Sequence, residues 1–149
     1  MTTAKKLMVI YRGISGSGKS THAKANYPGG TYCSADDEFI SPETGKYVFD
    51  RSRLGAAHLA CWRKAHEAVM RGDETVVIDN TNTQLWEMSP YVQMGQAMGY
   101  EVLIVRLDTP VEVAAKRNLH EVPLLNVRSM AERFQKVLPH WREVVVKGI

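Results

Sequence analysis

The chain reads as an α/β protein: one three-layer α/β/α domain over residues 1–149, with a mainly parallel sheet. Three observations predict this. Short apolar runs recur at 7–11, 31–34, 75–79 and 101–107, separated by longer stretches with helical apolar spacing, the alternation that builds β-α units. The third and fourth runs are nearly continuous Val, Ile and Leu, as strands covered on both faces require. The first run leads, through Arg12, into Gly13-Ile14-Ser15-Gly16-Ser17-Gly18-Lys19-Ser20, a glycine-rich turn between a strand and a helix.

The elements follow in order. A helix is expected from about Gly18 to Asn26, ended by Tyr27-Pro28-Gly29-Gly30, where proline and glycine break it. After the second strand, a loop from Asp36 to Asp50 leads into a long helix over about 51–71, with Gly72 as its C-cap. The next helix covers about 85–98, interrupted or started by Ser89-Pro90 and closed by Gly99. Pro110 suits the first turn of a helix reaching about Asn118. A break over 120–123 precedes a final helix to about Leu138, and Val144-Val145-Val146 reads equally as a fifth strand or a tail.

Composition narrows the class. With 149 residues, 44% hydrophobic and 23% charged, the chain can bury a sizeable core and carries no signature of disorder. Its apolar stretches fall far short of the roughly twenty residues that cross a bilayer, and the first residues lack a signal-peptide core. No membrane association and a cytoplasmic location are therefore expected. A net charge of +3, from 19 basic and 16 acidic residues, tolerates a polyanionic partner without demanding one. Cys33 and Cys61 stand in no metal-ligand spacing and are read as reduced. Nothing calls for an obligate protein partner.

The segment from Gly13 to Ser20 fits G-x-x-x-x-G-K-[ST] at every fixed position. Glycines let the backbone turn where a Cβ would clash, and the loop's N–H groups, with the dipole of the following helix, converge on phosphate oxygens. Gly13, Ser15, Gly16, Ser17, Gly18, Lys19, Ser20 and Thr21 are the expected nucleotide-binding residues. Lys19 would reach the β- and γ-phosphates of ATP, and the Ser20 hydroxyl would ligate Mg²⁺.

Ligands in open parallel sheets sit beyond the carboxyl ends of the strands. There the second run ends in Ser34-Ala35-Asp36-Asp37. Asp36 is the candidate base for an attacking hydroxyl, with Asp37 an orienting or capping neighbour; both could instead cap a turn. The third run ends in Asp79, the pattern in which a carboxylate holds Mg²⁺ directly or through water, although Asp before Asn is also a turn former. Asn80 and Asn82 could hydrogen-bond substrate or cap the next helix. Lys116, Arg117, His120 and Arg128 rim a segment able to close over a triphosphate, with Arg117 the candidate for transition-state charge.

Taken together, GISGSGKST, SADD, GKYVFD, AAH, VVIDNTNTQLWEMSPY, KRNLH and MAERF resemble the polynucleotide-kinase group of P-loop kinases. The likeness is nearest to the kinase-like domains of animal proteins that bind HECT-type ubiquitin ligases, and more distant to the phage end-healing 5′-kinase. It spans about Leu7 to Phe134. The resemblance implies transfer of the ATP γ-phosphate to a nucleic-acid hydroxyl, commonly a 5′-OH of DNA or RNA, with strand order 2-3-1-4-5 and a short helical lid. Lys19 and Ser20 match the family's phosphate and Mg²⁺ contacts, Asp36 its general base and Arg117 a lid arginine.

Two positions depart from that pattern. The phage enzyme holds the substrate phosphate with an arginine three residues beyond its base, where this chain has Phe39. Its longer lid also carries a second arginine where this chain has His120 and Glu121. Lys46, Arg51 and Arg53 could supply the phosphate contact, His120 could touch substrate, and Tyr47 or Phe49 could stack on a base, with Phe49 also fitting a core position. Competing acceptors are a hydroxymethyl-pyrimidine in DNA, a free nucleoside or another small alcohol. A module that binds ATP without catalysis is the alternative from another class.

Overall fold

The computed structural model describes residues 5–117 and 122–147. The strands are β1 (Leu7–Arg12), β2 (Thr31–Cys33), β3 (Thr75–Asp79), β4 (Glu101–Asp108) and β5 (Glu143–Lys147). They form one sheet in the order β2-β3-β1-β4-β5, and every neighbouring pair is parallel. The order is the one the family resemblance implies. The run of valines at 144–146 is a strand: β5 pairs with β4 from Ile104↔Glu143 to Asp108↔Lys147.

Helices α1 (Lys19–Asn26), α2 (Leu54–Arg71), α3 (Leu85–Ala97), α4 (Val111–Lys116) and α5 (Leu124–Glu132) complete the layers. Alternate sheet residues feed different cores because side chains alternate along a strand. Met8, Ile10, Val76, Ile78 and Ile104 pack with Ala57, Cys61, Ala65 and Val69 of α2 and Met88 and Val92 of α3. Val9, Tyr11, Val77, Val105 and Leu107 face Ala23 of α1. A third cluster joins Ile14 to Ala114 of α4 and Val127 of α5. Both cysteines are buried and free; burial pushes the Cys33 thiol up to about 12 and also raises Cys61, so both stay protonated thiols.

Register places the chemistry. Tyr11 pairs with Asp79 and Cys33 with Ile78, so the loops leaving β1, β2 and β3 emerge side by side at one edge of the sheet.

Several helix ends differ from the expectation. α2 starts at Leu54 because 51–53 form a 3-10 turn, capped by the Asp50 side chain, which accepts from the Ser52 N–H. α3 runs through Pro90; its missing donor removes one bond near the helix start, where the proline is exposed. α4 is described to Lys116, and the expected continuation to Asn118 lies outside the described residues. The final helix stops at Glu132 rather than near Leu138. Beyond it the backbone is diverted: the Gln135 N–H donates to Thr83 O at 2.8 Å, and the Gln135 side chain accepts from the Leu85 N–H at 2.8 Å.

That diversion centres on Arg12. Its side chain is 1% exposed. Nε donates to Asn82 O at 3.0 Å, and Nη2 donates to Thr83 O at 3.1 Å and to Gln135 O at 2.8 Å. Nη1 reaches Glu143 Oε2 of β5 at 3.0 Å, and the Phe134 ring covers the guanidinium at 4.7 Å. Removing the guanidinium takes a donor from the Asn82 and Gln135 carbonyls and leaves the Glu143 carboxylate with only its longer contact to Arg106. Arg12→Met is therefore expected to lower the unfolding free energy in urea by about 3–5 kcal/mol. A loss no greater than that of a surface substitution, about 0.5 kcal/mol, would remove Arg12 from this role.

Candidate active site

The glycine-rich loop begins where β1 ends. Two of its glycines have left-handed backbones, Gly16 at φ +82° and Gly18 at φ +98°, a region costly for residues with a Cβ. At Gly16 a Cβ would also lie 2.0 Å from the carbonyl oxygen of Ala114 in α4, so that glycine serves both the turn and the close approach of α4. Gly18 is the N-cap of α1, which aims the start of the helix into the loop. Ser17 is buried, and its hydroxyl has no hydrogen-bond partner among the described residues. Its carbonyl accepts from the Thr109 hydroxyl at 2.8 Å, so its contribution to the loop is backbone geometry.

The Lys19 ammonium folds back over its own loop, donating to Gly13 O at 2.9 Å and Ile14 O at 3.2 Å. Burial pulls its pKa below the ordinary lysine value, and the charges of Asp79 and Asp36 pull the other way. Ser20 Oγ donates to Asp79 Oδ2 at 2.5 Å. The end-of-strand register of Tyr11 against Asp79 creates this contact.

A cleft of about 540 Å³ lies over these groups. Its lining brings the loop residues Ser15 to Thr21 together with Ser34, Asp36, Asp37, Ile40, Asp79 and Asn80, and with Lys24 and Arg117. The sequence candidates Lys19, Ser20, Asp36, Asp37, Asp79 and Arg117 are thus brought together. Burial raises the Asp37 pKa, opposed by Lys64 and reinforced by Asp36 and Asp79. Three carboxylates sharing one cavity repel each other, an arrangement that a bound cation relieves.

The residues fit a nucleoside triphosphate with Mg²⁺. The glycine cradle leaves room where a Cβ would intrude, the lysine stands inside it, and a hydroxyl and a carboxylate oxygen are paired beside it. No cluster of three or more His, Cys, Asp or Glu able to hold a metal occurs among the described residues. Mg²⁺ asks for no such cage, because it is usually held by one or two protein oxygens, substrate phosphates and water.

Other candidates are placed differently. Asn82 is 1% exposed, and its Nδ2 donates to Tyr11 O at 2.7 Å, so it neither reaches substrate nor caps α3, whose N-cap is Gln84. It holds the loop after β3 against the end of β1, at φ +48°, a backbone that Asn tolerates better than most residues. Asn80 lines the cleft, but its side chain is committed elsewhere: Oδ1 accepts from the Ala35 N–H at 2.9 Å, and Nδ2 faces Cys61 Sγ at 3.5 Å. It pins the turn that carries Asp36. Arg51 and Arg53 are exposed on the turn before α2 and do not line the cleft. Phe39 is 2% exposed, a core residue where the phage enzyme has its arginine. Phe49, a possible core residue, is 52% exposed beside the Phe39 ring. His120 lies outside the described residues.

Sequence reasoning missed two groups. Arg12 is part of the strand run, and only its company of Val and Ile hinted that its charge must be buried. Tyr47 was a stacking candidate; its hydroxyl instead donates to Asp36 Oδ1 at 3.2 Å.

A central parallel sheet with a phosphate-type loop at its carboxyl edge and a facing set of carboxylates defines a P-loop protein of kinase-like fold. Residues 8–137 match the family model described as AAA domain, and the chain belongs to that family. It is 39% identical over 138 residues to human NEDD4-binding protein 2, a match covering 87% of this chain. The match covers only 8% of that relative's length. Among solved structures, the Pnkp1/Rnl/Hen1 RNA repair complex contains a chain similar to 90% of this one, with TM-score 0.70 and 20% identity, over 45% of its own length. A sugar kinase from Janibacter sp. matches 95% of this chain and 85% of its own, with TM-score 0.60 and 24% identity.

The loop geometry yields a contrast between two glycines. Gly16→Ala forces a left-handed backbone and a clash with Ala114, whereas Gly29→Ala meets nothing within 4 Å. The first is expected to cost at least about 2 kcal/mol of stability and to weaken nucleotide binding sharply; the second is expected to change neither. Thermal unfolding and titration with a fluorescent ATP analogue check both, and equal behaviour of the two variants would contradict the assignment.

Proposed function

We propose that the protein is an ATP-dependent kinase that transfers the γ-phosphate to a hydroxyl of a nucleic acid, most simply a polynucleotide 5′-OH of DNA or RNA. The observation that carries the reading is Asp36: a carboxylate in the same cleft as the phosphate loop but separate from the Ser20–Asp79 pair. Nucleotide binding needs the loop and that pair; a further carboxylate in the cavity supplies the proton acceptor that transfer to a hydroxyl requires. In this reading Asp36 accepts the proton of the acceptor hydroxyl as its oxygen bonds to the γ-phosphorus. The bond between that phosphorus and the β,γ-bridging oxygen breaks, and ADP leaves.

Gly13 to Thr21 would hold the phosphates through backbone N–H groups, and the Lys19 ammonium would turn from its own loop carbonyls to the β- and γ-phosphates. Ser20 and Asp79 would hold Mg²⁺, which when bound neutralises charge on those phosphates. Arg117, exposed at the end of α4 and lining the cleft, would meet the charge of the transferring group from the opposite side.

The nucleic-acid acceptor is supported by the likeness to the RNA repair complex chain and by exposed Lys46, Arg51 and Arg53 on the segment that follows Asp36. A small-alcohol acceptor, such as a nucleoside or sugar, is the second reading. It is favoured by buried Phe39, which takes no part in holding a substrate phosphate, and by the likeness to a sugar kinase. A hydroxymethyl-pyrimidine in DNA would use the same base.

Transfer of radiolabelled γ-phosphate should therefore be measured across 5′-OH DNA and RNA oligonucleotides, hydroxymethyl-pyrimidine DNA, nucleosides and sugars. Labelling of the oligonucleotides is the expected outcome; labelling of small alcohols alone would transfer the claim to the second reading, and labelling of nothing by an ATP-binding protein would sink both. Asp36→Asn should lower kcat by about 10²–10⁴-fold with ATP affinity nearly unchanged, while Lys19→Ala should impair binding and transfer together. Matching loss of ATP affinity in Asp36→Asn would show that Asp36 is not the base.

A further inference from the structure

We propose that Tyr47 is a positioning residue for the base, its phenol hydroxyl orienting the Asp36 carboxylate toward the acceptor hydroxyl. The inference rests on the reading of Asp36 as base. Its starting point is the contact already described, Tyr47 Oη donating to Asp36 Oδ1 at 3.2 Å. That length is beyond the ordinary range for a hydroxyl donor, as catalytic hydrogen bonds often are before substrate arrives.

The segment between the two residues is built to make them meet. Asp36 lies on a 3-10 turn, Ala35–Phe39, whose N-cap Ser34 accepts from the Asp36 N–H. The chain then doubles back. Ile40 and Tyr47 form an antiparallel bridge, Val48 N–H donates to Phe39 O at 2.7 Å, and Ser41 N–H donates to Lys46 O at 2.8 Å. Gly45, at φ +69°, makes the turn that returns the strand. The Tyr47 ring stands edge-on to buried Phe39 at 6.1 Å and packs on the main core cluster. Ring and backbone are therefore both held, and a held hydroxyl costs little further entropy when it fixes a partner.

Chemistry favours the donor role. Burial, then the charge of Asp36 and the hydrogen bond to it, raise the Tyr47 pKa far above the ordinary phenol value. The hydroxyl stays protonated and can only donate to a carboxylate. An aspartate side chain has two rotatable bonds, and the hydrogen bond at Oδ1 restrains both. Phe39 bears on the same point. The phenylalanine turns inward and supplies the wall against which Tyr47 stands.

The test uses Tyr47→Phe, which keeps the ring and its packing, with Asp36→Asn and the double variant. Expected are a kcat lowered about 10- to 100-fold, with ATP KM and thermal stability unchanged, and no further loss when Tyr47→Phe is added to Asp36→Asn. Unaltered kcat, or losses that multiply in the double variant, would overturn the proposal. A second measurement needs no acceptor substrate: in protein labelled with [¹³Cζ]tyrosine, the Tyr47 signal should titrate at lower pH in Asp36→Asn than in the parent, because the negative charge beside the phenol is gone. An unchanged titration would refute the contact itself. If that titration shifts while the parent protein phosphorylates no acceptor, the kinase reading fails, and the role assigned to Tyr47 fails with it, although the contact stands.

Discussion

The arrangement of the cleft depends on one buried guanidinium. Arg12 ends the central strand, and four of its N–H groups donate to three separate carbonyls and a carboxylate. Burying such a charge costs several kcal/mol, repaid only when geometry and pairing are both good. The partners come from the loop after β3, the segment after α5 and the edge strand β5, and the guanidinium is the group that touches all three. Glu143 also meets Arg106 of β4 at 3.5 Å, so β5 is keyed to two neighbouring strands by one carboxylate. Because the phosphate loop leaves the next residue, Gly13, the loop inherits its origin from this network. Gly13 N–H donating to Thr81 O at 3.1 Å extends the same link.

Legibility in the sequence followed the range of the forces involved. The glycine-rich loop was readable because its constraints are local: left-handed backbones at Gly16 and Gly18 and a lysine one residue beyond. Asp36 and Asp79 were readable because parallel strands deliver their carboxyl ends to one edge whatever the helices do. The fifth strand was not, since three valines at a sheet edge form a strand only where a neighbour and the Glu143 anchor exist. The premature end of α5 was hidden for the same reason; Gln135 leaves helical geometry for partners at Thr83, Leu85 and Arg12, distant in sequence. For Asn80 and Asn82 the sequence left substrate contact and capping both open, because short amides after a strand look available and their long-range partners, Ala35 and Tyr11, are visible only in the fold.

The cleft divides into halves with different foundations. The donor half, from Gly13 to Thr21 with Asp79, stands on the central strands β1 and β3 and on α1. The half carrying Asp36 stands on β2, only three residues long, and on a chain of local contacts: Asn80 to Ala35, Ser34 to Asp36, and the hairpin that ends at Tyr47. Asn80 is the bridge between them, because it follows Asp79 in the chain yet holds the turn of Asp36. The separation of Asp36 from Asp79 is thereby set by the β2–β3 register and by this one side chain together.

This division bears on where specificity resides. A phosphoryl donor site tolerates little variation, because its charge stabilisation requires N–H groups and cations in place before reaction. The acceptor side needs only a base held at a set angle and a surface that suits the substrate. Between Ile40 and Leu54 that surface is exposed and mixed: Ile40, Val48, Phe49 and Leu54 are apolar, and Lys46, Arg51 and Arg53 are basic. In the proposed reading Tyr47, rather than a cation, holds Asp36, and contact with any substrate phosphate is left to other residues. Orientation of Asp36 would then rest on the fold, and choice of acceptor on the exposed segment.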